Sequence, residues 1–408
     1  MRIAITSNGP GEFAGWVRPL VAALLRLQPA TDITLFFVPD DYATGREPDV
    51  ARRLFPNVRV VPAAQYVRFA LGRTASGAPA GSDIVQYLGG DLMHAARVHA
   101  RLGGTARAYK FSRRRYARTF ERAYALDAKN ALELKGTGVP NERVEIVGNL
   151  AIDGALGEAA GDFAEGPVVA SEGGGILFMP GTRRLEVANM YPFFLQTAVK
   201  LRAARPDLPI AFGASPFTSD DELARALSAG GHRNAWGSRG TVVPFGRDVA
   251  LQPAAGGAPF PIVRDAMRHA ARARLAVTLP GTKCIELAAL GVPAIVCVPL
   301  NAPEAVVING PLQYLDRIPG VGLPLKRAIV IGVDRRFAFT AQPNIDAGEA
   351  LMPELRGTLM PGEVARRIAA YADDATGLAT AAARLRDIYA AHVGAADRMA
   401  RSLLGLSA

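Results

Sequence analysis

The sequence predicts an α/β protein made of two parallel-sheet halves and closed by a long helical tail. Three observations carry this expectation. Short apolar runs alternate with helix-period segments through the first 150 residues, the alternation lapses over 151–174, and it restarts at Ile176. From Gly362 to Leu404 the pattern is helical, with a break near Ala375–Gly377. The chain has 408 residues, too many for one ordinary core and enough for two. Strands that alternate with helices form a parallel sheet covered on both faces, so each strand reads as a nearly continuous apolar run.

In the first half, strands are expected over 2–6, 33–38, 57–62, 83–88, 106–111, 123–126 and 144–147, with a helix over 15–27. The first strand breaks at Ser7-Asn8-Gly9-Pro10-Gly11, the second at Pro39-Asp40-Asp41, and the fourth at Gly89-Gly90-Asp91. Residues 151–174, rich in Gly, Ala and Glu, read as a linker. In the second half, strands are expected over 176–179, 209–213, 275–278 and 294–298, with helices over 184–202 and 283–290. The expected division is therefore 1–150, a linker over 151–174, 175–361, and helices over 362–408.

Half of the residues are hydrophobic and 21% are charged, a globular composition that excludes bulk disorder. No run of about 18 apolar residues occurs, so no spanning helix is expected. The apolar opening Met1–Thr6 is too short for a signal peptide, which makes the cytoplasm the expected compartment. Cys284 and Cys297 lack metal-ligand or redox spacing and read as reduced core residues. The net charge of +10 is concentrated: Arg97 to Arg122 holds nine Lys/Arg against one acid, Glu121. Within it, Arg113-Arg114-Arg115 is expected to face an anionic membrane surface or a phosphorylated acceptor. No nucleic-acid-binding motif accompanies the run, so nucleic acid is not an expected partner.

Three strand-to-helix turns carry the chemistry. Asn8, Gly9, Gly11 and Glu12 follow the first strand, where small residues let a substrate approach the backbone and the helix start favours an anion. The spacing Gly9-x-Gly11-x-x-x-Gly15 departs from the dinucleotide fingerprint, yet with Asp40 as a ribose acid it leaves an NAD reading open. Gly181-Thr182-Arg183-Arg184 puts two guanidinium forks at a helix start, a setting that suits a diphosphate. Gly281-Thr282-Lys283 with Glu286 offers backbone amides for a phosphate and a first-turn carboxylate for ribose hydroxyls; the same carboxylate could simply complement the helix dipole. Asp91 stands just past the carboxyl end of a buried strand, where open α/β sheets place ligands and where one carboxylate can serve as a general base or cap a helix.

The series Ser7-Asn-Gly-Pro-Gly-Glu12, Tyr87-Leu-Gly-Gly-Asp91, Val147-Gly-Asn-Leu-Ala-Ile-Asp153, Met179-Pro-Gly-Thr-Arg183, Gly281-Thr282 with Glu286, and Pro343-Asn344-Ile345 leading to Pro353-Glu354-Leu355 resembles the lipid-A-disaccharide synthase family in content and order. The resemblance implies two Rossmann-like domains facing a cleft, the GT-B glycosyltransferase architecture. It also implies an inverting, metal-independent transfer of an acylated glucosamine from a UDP-sugar to a lipid-linked acceptor. The second half would then bind the UDP-sugar, with Arg183 at the phosphates, Gly281 and Thr282 against them, Glu286 on the ribose, and Asn344 among the substrate-binding residues. The first half would bind the acceptor, with Asp91 as the base. No Asp-x-Asp pair occurs, so no metal and no cofactor are expected, and leaving-group charge falls to helix termini, Arg183, Arg184 and Lys283. The chain departs from the family at Gly148-Asn149-Leu150-Ala151 and at Arg356-Gly357. Two alternatives stay open: a UDP-sugar 2-epimerase of the same fold, for which acids and histidines would have to converge, and an NAD-dependent oxidoreductase.

Overall fold

The structure, a computed structural model, describes residues 1–40, 43–161, 174–230, 237–246, 248–300, 332 and 337–407. Two compact units divide the chain: Met1–Gly157 with Ala390–Ala408, and Glu158–Tyr389.

The first unit holds seven parallel strands: β1 (Arg2–Ser7), β2 (Asp32–Phe37), β3 (Arg59–Val61), β4 (Ile84–Tyr87), β5 (Thr105–Tyr109), β6 (Arg122–Ala125) and β7 (Val144–Ile146). Their order is β3-β2-β1-β4-β5-β6-β7. All but the first residue of β1 are buried, as expected of a strand covered on both faces. The helical run after β1 begins earlier than expected, with α1 (Pro10–Glu12), a π turn (Phe13–Val17) and α2 (Arg18–Leu27). Pro10 at the first helical position explains the early start. Pro19 has no amide to donate to the preceding turn, and the wide turn lies just before it. Further helices are α3 (Glu47–Leu54), α4 (Ala63–Ala70), α5 (Leu92–Leu102), α6 (Ala128–Gly136) and α7 (Leu150–Ala160).

Helix α7 stands where the linker was expected to begin. Its Gly154 has no side chain to hold it off the Ala14–Gly15 backbone, 3.1 Å from where a Cβ would be, and its carbonyl accepts from the buried Arg18. Glycine here serves close helix packing, a use that composition alone reads as a loop. Residues 162–173 of the expected linker, and Asp41 of the second-strand break, lie outside the described residues.

The second unit holds β8 (Ile176–Phe178), α8 (Arg184–Ala204), β9 (Ile210–Gly213), α9 (Asp220–Ala229), β10 (Gly240–Phe245), β11 (Asp248–Pro253), β12 (Phe260–Val263), α10 (Ala266–Ala270), β13 (Leu275–Thr278), α11 (Thr282–Ala289), β14 (Ala294–Pro299), α12 (Gln342–Ala347), β15 (Glu354–Gly357), α13 (Pro361–Asp373) and α14 (Ala375–Tyr389). The sheet order is β10-β11-β12-β9-β8-β13-β14-β15, parallel except for the β10-β11-β12 meander at one edge. Its core is aromatic: Phe178 stacks on Phe212 at 5.2 Å between centroids and packs against Phe194 of α8 at 5.3 Å.

The helical tail does not form one body. Helix α13 buries Val364, Ala365 and Ile368 and packs on α8 in the second unit. Helix α15 (Ala395–Leu404) belongs to the first unit, where it packs on α2. There Asp153 accepts the Gly394 and Ala396 amides at 2.8 and 2.6 Å, and Arg26 pairs with Asp397. Both segments show helical periodicity; which core each apolar face joins is a tertiary matter that periodicity does not carry.

Candidate functional site

In an open parallel sheet, ligands bind beyond the carboxyl ends of the strands where the strand order reverses. That point lies between β8 and β13 in the second unit and between β1 and β4 in the first. The expected site residues other than Asn344 all fall on the turns that leave these four strands.

In the second unit the two turns are built oppositely. After β8, Glu186 in the first turn of α8 accepts the Thr182 amide at 2.9 Å and the Arg183 amide at 3.0 Å. Gly181 has a φ of +99°, and a Cβ there would collide with the Glu186 carboxylate. The Thr182 and Arg183 amides are thus taken by a capping carboxylate. Arg183 pairs with Glu186 at 3.6 Å while keeping part of its side chain in solvent, and Arg184 is exposed. This turn offers an anion guanidinium groups rather than backbone.

The turn after β13 is open. Gly281 has a φ of +149° and nothing lies within 4 Å of where its Cβ would stand. No side chain caps α11. Gly281 and Thr282 are exposed, Lys283 is half-buried and Glu286 is buried, with Lys283 Nζ 2.5 Å from Glu286 Oε2. Cys284 turns into the core, and burial pushes its thiol up to about 12, so it packs and does not react.

Asn344 is a structural residue, contrary to expectation. Fully buried, it donates to Met352 O at 2.7 Å and Glu354 Oε1 at 3.0 Å, and its Oδ1 accepts the Met352 amide at 2.8 Å. Glu354 in turn accepts the Thr340 hydroxyl at 2.7 Å and the Ala341 amide at 2.9 Å. The cluster locks the approach to β15 and uses both Nδ2 hydrogens of Asn344. Asn344→Ala should therefore lower stability by about 1–3 kcal/mol, the cost of leaving buried partners unpaired. Chemical denaturation of the two proteins checks this; unchanged stability would mean that the clamp is dispensable.

At the first unit's reversal point, Asn8 is buried and donates through Nδ2 to Asp40 Oδ2 at 2.9 Å. Asp40 thus tethers the loop after β1, which weakens its reading as a cofactor ribose acid. Gly9 is buried, while Gly11 borders open space. Glu12 and Asp91 both act on the buried Tyr87 phenol, whose pKa is raised by burial first and by these two charges next. The carboxylates from the first and fourth strand turns therefore converge. Asp91 caps α5, its Oδ1 accepting the Met93 amide at 2.9 Å, and its Oδ2 takes Arg113 Nη1 at 2.6 Å. Tyr66 Oη also lies 2.7 Å from His94 Nδ1 here, and Asp91 and Asp40 act on that imidazole.

The three arginines expected to form a membrane-facing patch have separate partners. Arg113 pairs with Asp91, Arg114 donates to Gly136 O at 3.1 Å at the end of α6, and Arg115 lies over the Tyr116 ring at 5.2 Å. All three are exposed, and each also has a partner within its own chain. The ends of their loop, Lys110 and Tyr116, are non-glycine residues at φ of +42° and +67°, and such strain gathers at functional loops. Among the described residues no cluster of three or more His, Cys, Asp or Glu is arranged to hold a metal ion, and no helix is long and apolar enough to cross a membrane.

No protein-family model matches the chain. A curated relative, the lipid-A-disaccharide synthase of Geobacter sulfurreducens, is 27% identical over 196 residues, which cover 48% of this chain and 38% of that protein. The matched stretch thus spans little more than a third of the curated relative. Three solved structures are similar over nearly all of both chains. The UDP-GlcNAc 2-epimerase of Neisseria meningitidis bound to UDP-GlcNAc has a TM-score of 0.59 at 11% identity, covering 99% of this chain and 100% of that one. A UDP-N-acetylglucosamine 2-epimerase homologue from Listeria monocytogenes scores 0.58 at 13% identity, with 99% and 95% covered. The S. aureus MnaA–UDP co-structure scores 0.57 at 13% identity, with 100% and 98% covered. The fold is accordingly α/β with two Rossmann-like domains and a helical C-terminal segment.

Proposed function

We propose that this chain is a UDP-sugar enzyme whose reaction begins with departure of UDP from the anomeric carbon. The observation that carries the proposal is the uncapped Gly281–Thr282 turn at the β8/β13 reversal, with Glu286 one turn behind it. A diphosphate fits against the Gly281 and Thr282 backbone, with Lys283, Arg183 and Arg184 supplying positive charge to the leaving group. Glu286, released from Lys283, accepts the ribose hydroxyls. The solved neighbours that hold UDP-GlcNAc or UDP support the same ligand class.

Two onward reactions share that first step. The likeness to the 2-epimerases runs the length of the chain and favours inversion at C2. The likeness to a lipid-A-disaccharide synthase favours transfer to a lipid-linked acceptor.

Incubation with UDP-GlcNAc in D₂O, followed by ¹H NMR, separates them. Inversion that proceeds through loss of the C2 proton brings deuterium to C2 and a second sugar epimer, with no acceptor added. Transfer leaves C2 protonated and releases UDP only when an acceptor is present. Neither change in UDP-GlcNAc, with or without lipid acceptors, would reject UDP-GlcNAc as the substrate.

A further inference from the structure

We propose that Ser112–Arg115 is a flap, hinged at Lys110 and Tyr116 and latched at the first unit's strand reversal by the Arg113–Asp91 ion pair. The device lies wholly within the first unit and goes beyond the UDP-sugar reading, on which it does not depend.

The segment follows β5 and is anchored at both ends. On one side the Lys110 amide donates to Tyr124 O on the neighbouring strand at 3.0 Å, and the Lys110 ammonium stands 5.5 Å from the centre of the Trp16 ring. Phe111 is buried there, its ring 5.9 Å from that of Phe120. On the other side Ala117 and Phe120 are buried. Between the anchors Ser112, Arg113, Arg114 and Arg115 are all exposed. Among the described residues their backbone makes one hydrogen bond, Arg114 O accepting the Ala117 amide at 3.1 Å. A stretch with no sheet or helix bonding and no buried side chain has little of its own to resist local opening. The hinges add to this. Lys110 at φ +42° and Tyr116 at φ +67° hold left-handed conformations that a residue with a Cβ keeps only under constraint from its surroundings.

Side chains supply that constraint. Arg113 Nη1 reaches Asp91 Oδ2 at 2.6 Å, Arg114 Nε donates to Gly136 O at 3.1 Å, and Arg115 lies over the Tyr116 ring at 5.2 Å. The first two tie the segment to other elements, the turn after β4 and the end of α6, while the third stays within the segment and its hinge. The Asp91 contact is the latch that bears on the reversal point. Asp91 Oδ1 is engaged in capping α5, so Arg113 occupies the other oxygen, and opening the flap releases it. The pair is weak by construction: the Arg113 side chain is 74% exposed and that of Asp91 37%, and salt screens such a contact. A strained segment held by weak side-chain contacts is a closed state that opens locally while the sheet beneath stays intact.

Limited trypsin digestion of the full chain reads the flap directly, because opening offers the bond after Arg115 to the protease. Cleavage is followed by mass spectrometry at trypsin concentrations where its rate tracks the open population, and is scaled to cleavage at the chain's other sites. Asp91→Asn and Arg113→Gln should each speed cleavage after Arg115 by roughly 1.5- to 5-fold, the range that an exposed ion pair supports. The double variant should be no faster than either single one, because both remove the same contact. Raising the salt concentration should speed cleavage of the wild type and leave Asp91→Asn unchanged; this arm reads the latch in the unaltered chain, whatever a variant does to folding. Equal cleavage of wild type and Asp91→Asn, single-variant factors that multiply in the double, or a wild-type rate indifferent to salt would each overturn the latch.

Discussion

Glu286→Ala binds UDP about 10- to 150-fold more weakly than the wild type while remaining folded. Glu286 is buried in α11 one turn past its start, three residues from Lys283, whose ammonium it holds at 2.5 Å. In the proposed complex the carboxylate exchanges that ammonium for ribose hydroxyls. A hydrogen bond to a charged group contributes roughly 1.5–3 kcal/mol, which sets the expected loss. The fold should survive because α11 buries Cys284, Leu287 and Ala288 independently of Glu286, and the freed Lys283 can reach solvent. Calorimetric titration with UDP and with uridine checks the assignment: both ligands carry the ribose, so both should weaken by a similar factor. Loss confined to UDP would move Glu286 from the ribose to the organisation of the phosphate end.

Asp91→Asn leaves melting temperature and UDP affinity nearly unchanged and lowers turnover by roughly 30- to 150-fold. Asparagine caps a helix about as well as aspartate, so α5 keeps its first-turn partner. The ion pair lost with Arg113 is largely exposed, and such pairs contribute little, about 0–1 kcal/mol. What disappears is a negative charge beside His94 at the first unit's strand reversal. At an effective dielectric near 20, a unit charge about 6–8 Å away contributes roughly 2–3 kcal/mol, hence the expected range. Asp91→Ala adds the cost of a lost cap, about 0.5–2 kcal/mol, and so separates the structural role from the electrostatic one. Thermal melts, UDP titration and turnover on one preparation decide it. A stability loss in Asp91→Asn with intact turnover would make Asp91 a cap and nothing more.

Much of this molecule was legible in its residues. Every strand around the two reversal points announced itself as an apolar run ending in small residues, because a strand buried on both faces has no polar alternation to hide it. The β10-β11-β12 meander did not. It lies at a sheet edge, β10 is mostly exposed or half-buried, and Pro244, Pro253 and Pro261 interrupt its pattern. The Gly281 turn was legible from its chemistry. The Gly181 turn looked equivalent, and only the Glu186 carboxylate distinguishes the two. The spacing of Glu186, three residues after Arg183, is the capping signature, but an arginine in place of the usual short polar cap concealed it. Asn344 looked like a ligand residue because its stretch matched a family motif, whereas its side chain is spent on Met352 and Glu354. The Tyr66–His94 pair joins residues 28 apart on different helices, and no local pattern encodes that meeting.

The central claim, that the second unit is built for the UDP moiety, is tested most directly by calorimetric titration of the full chain with UDP and, separately, with NAD. Saturable binding of UDP with a stoichiometry of about one, weakened in Glu286→Ala, and no saturable heat with NAD are the predicted results. Saturable binding of NAD with no response to UDP would contradict the account and return the Asn8–Glu12 loop and Asp40 to the centre of the chemistry.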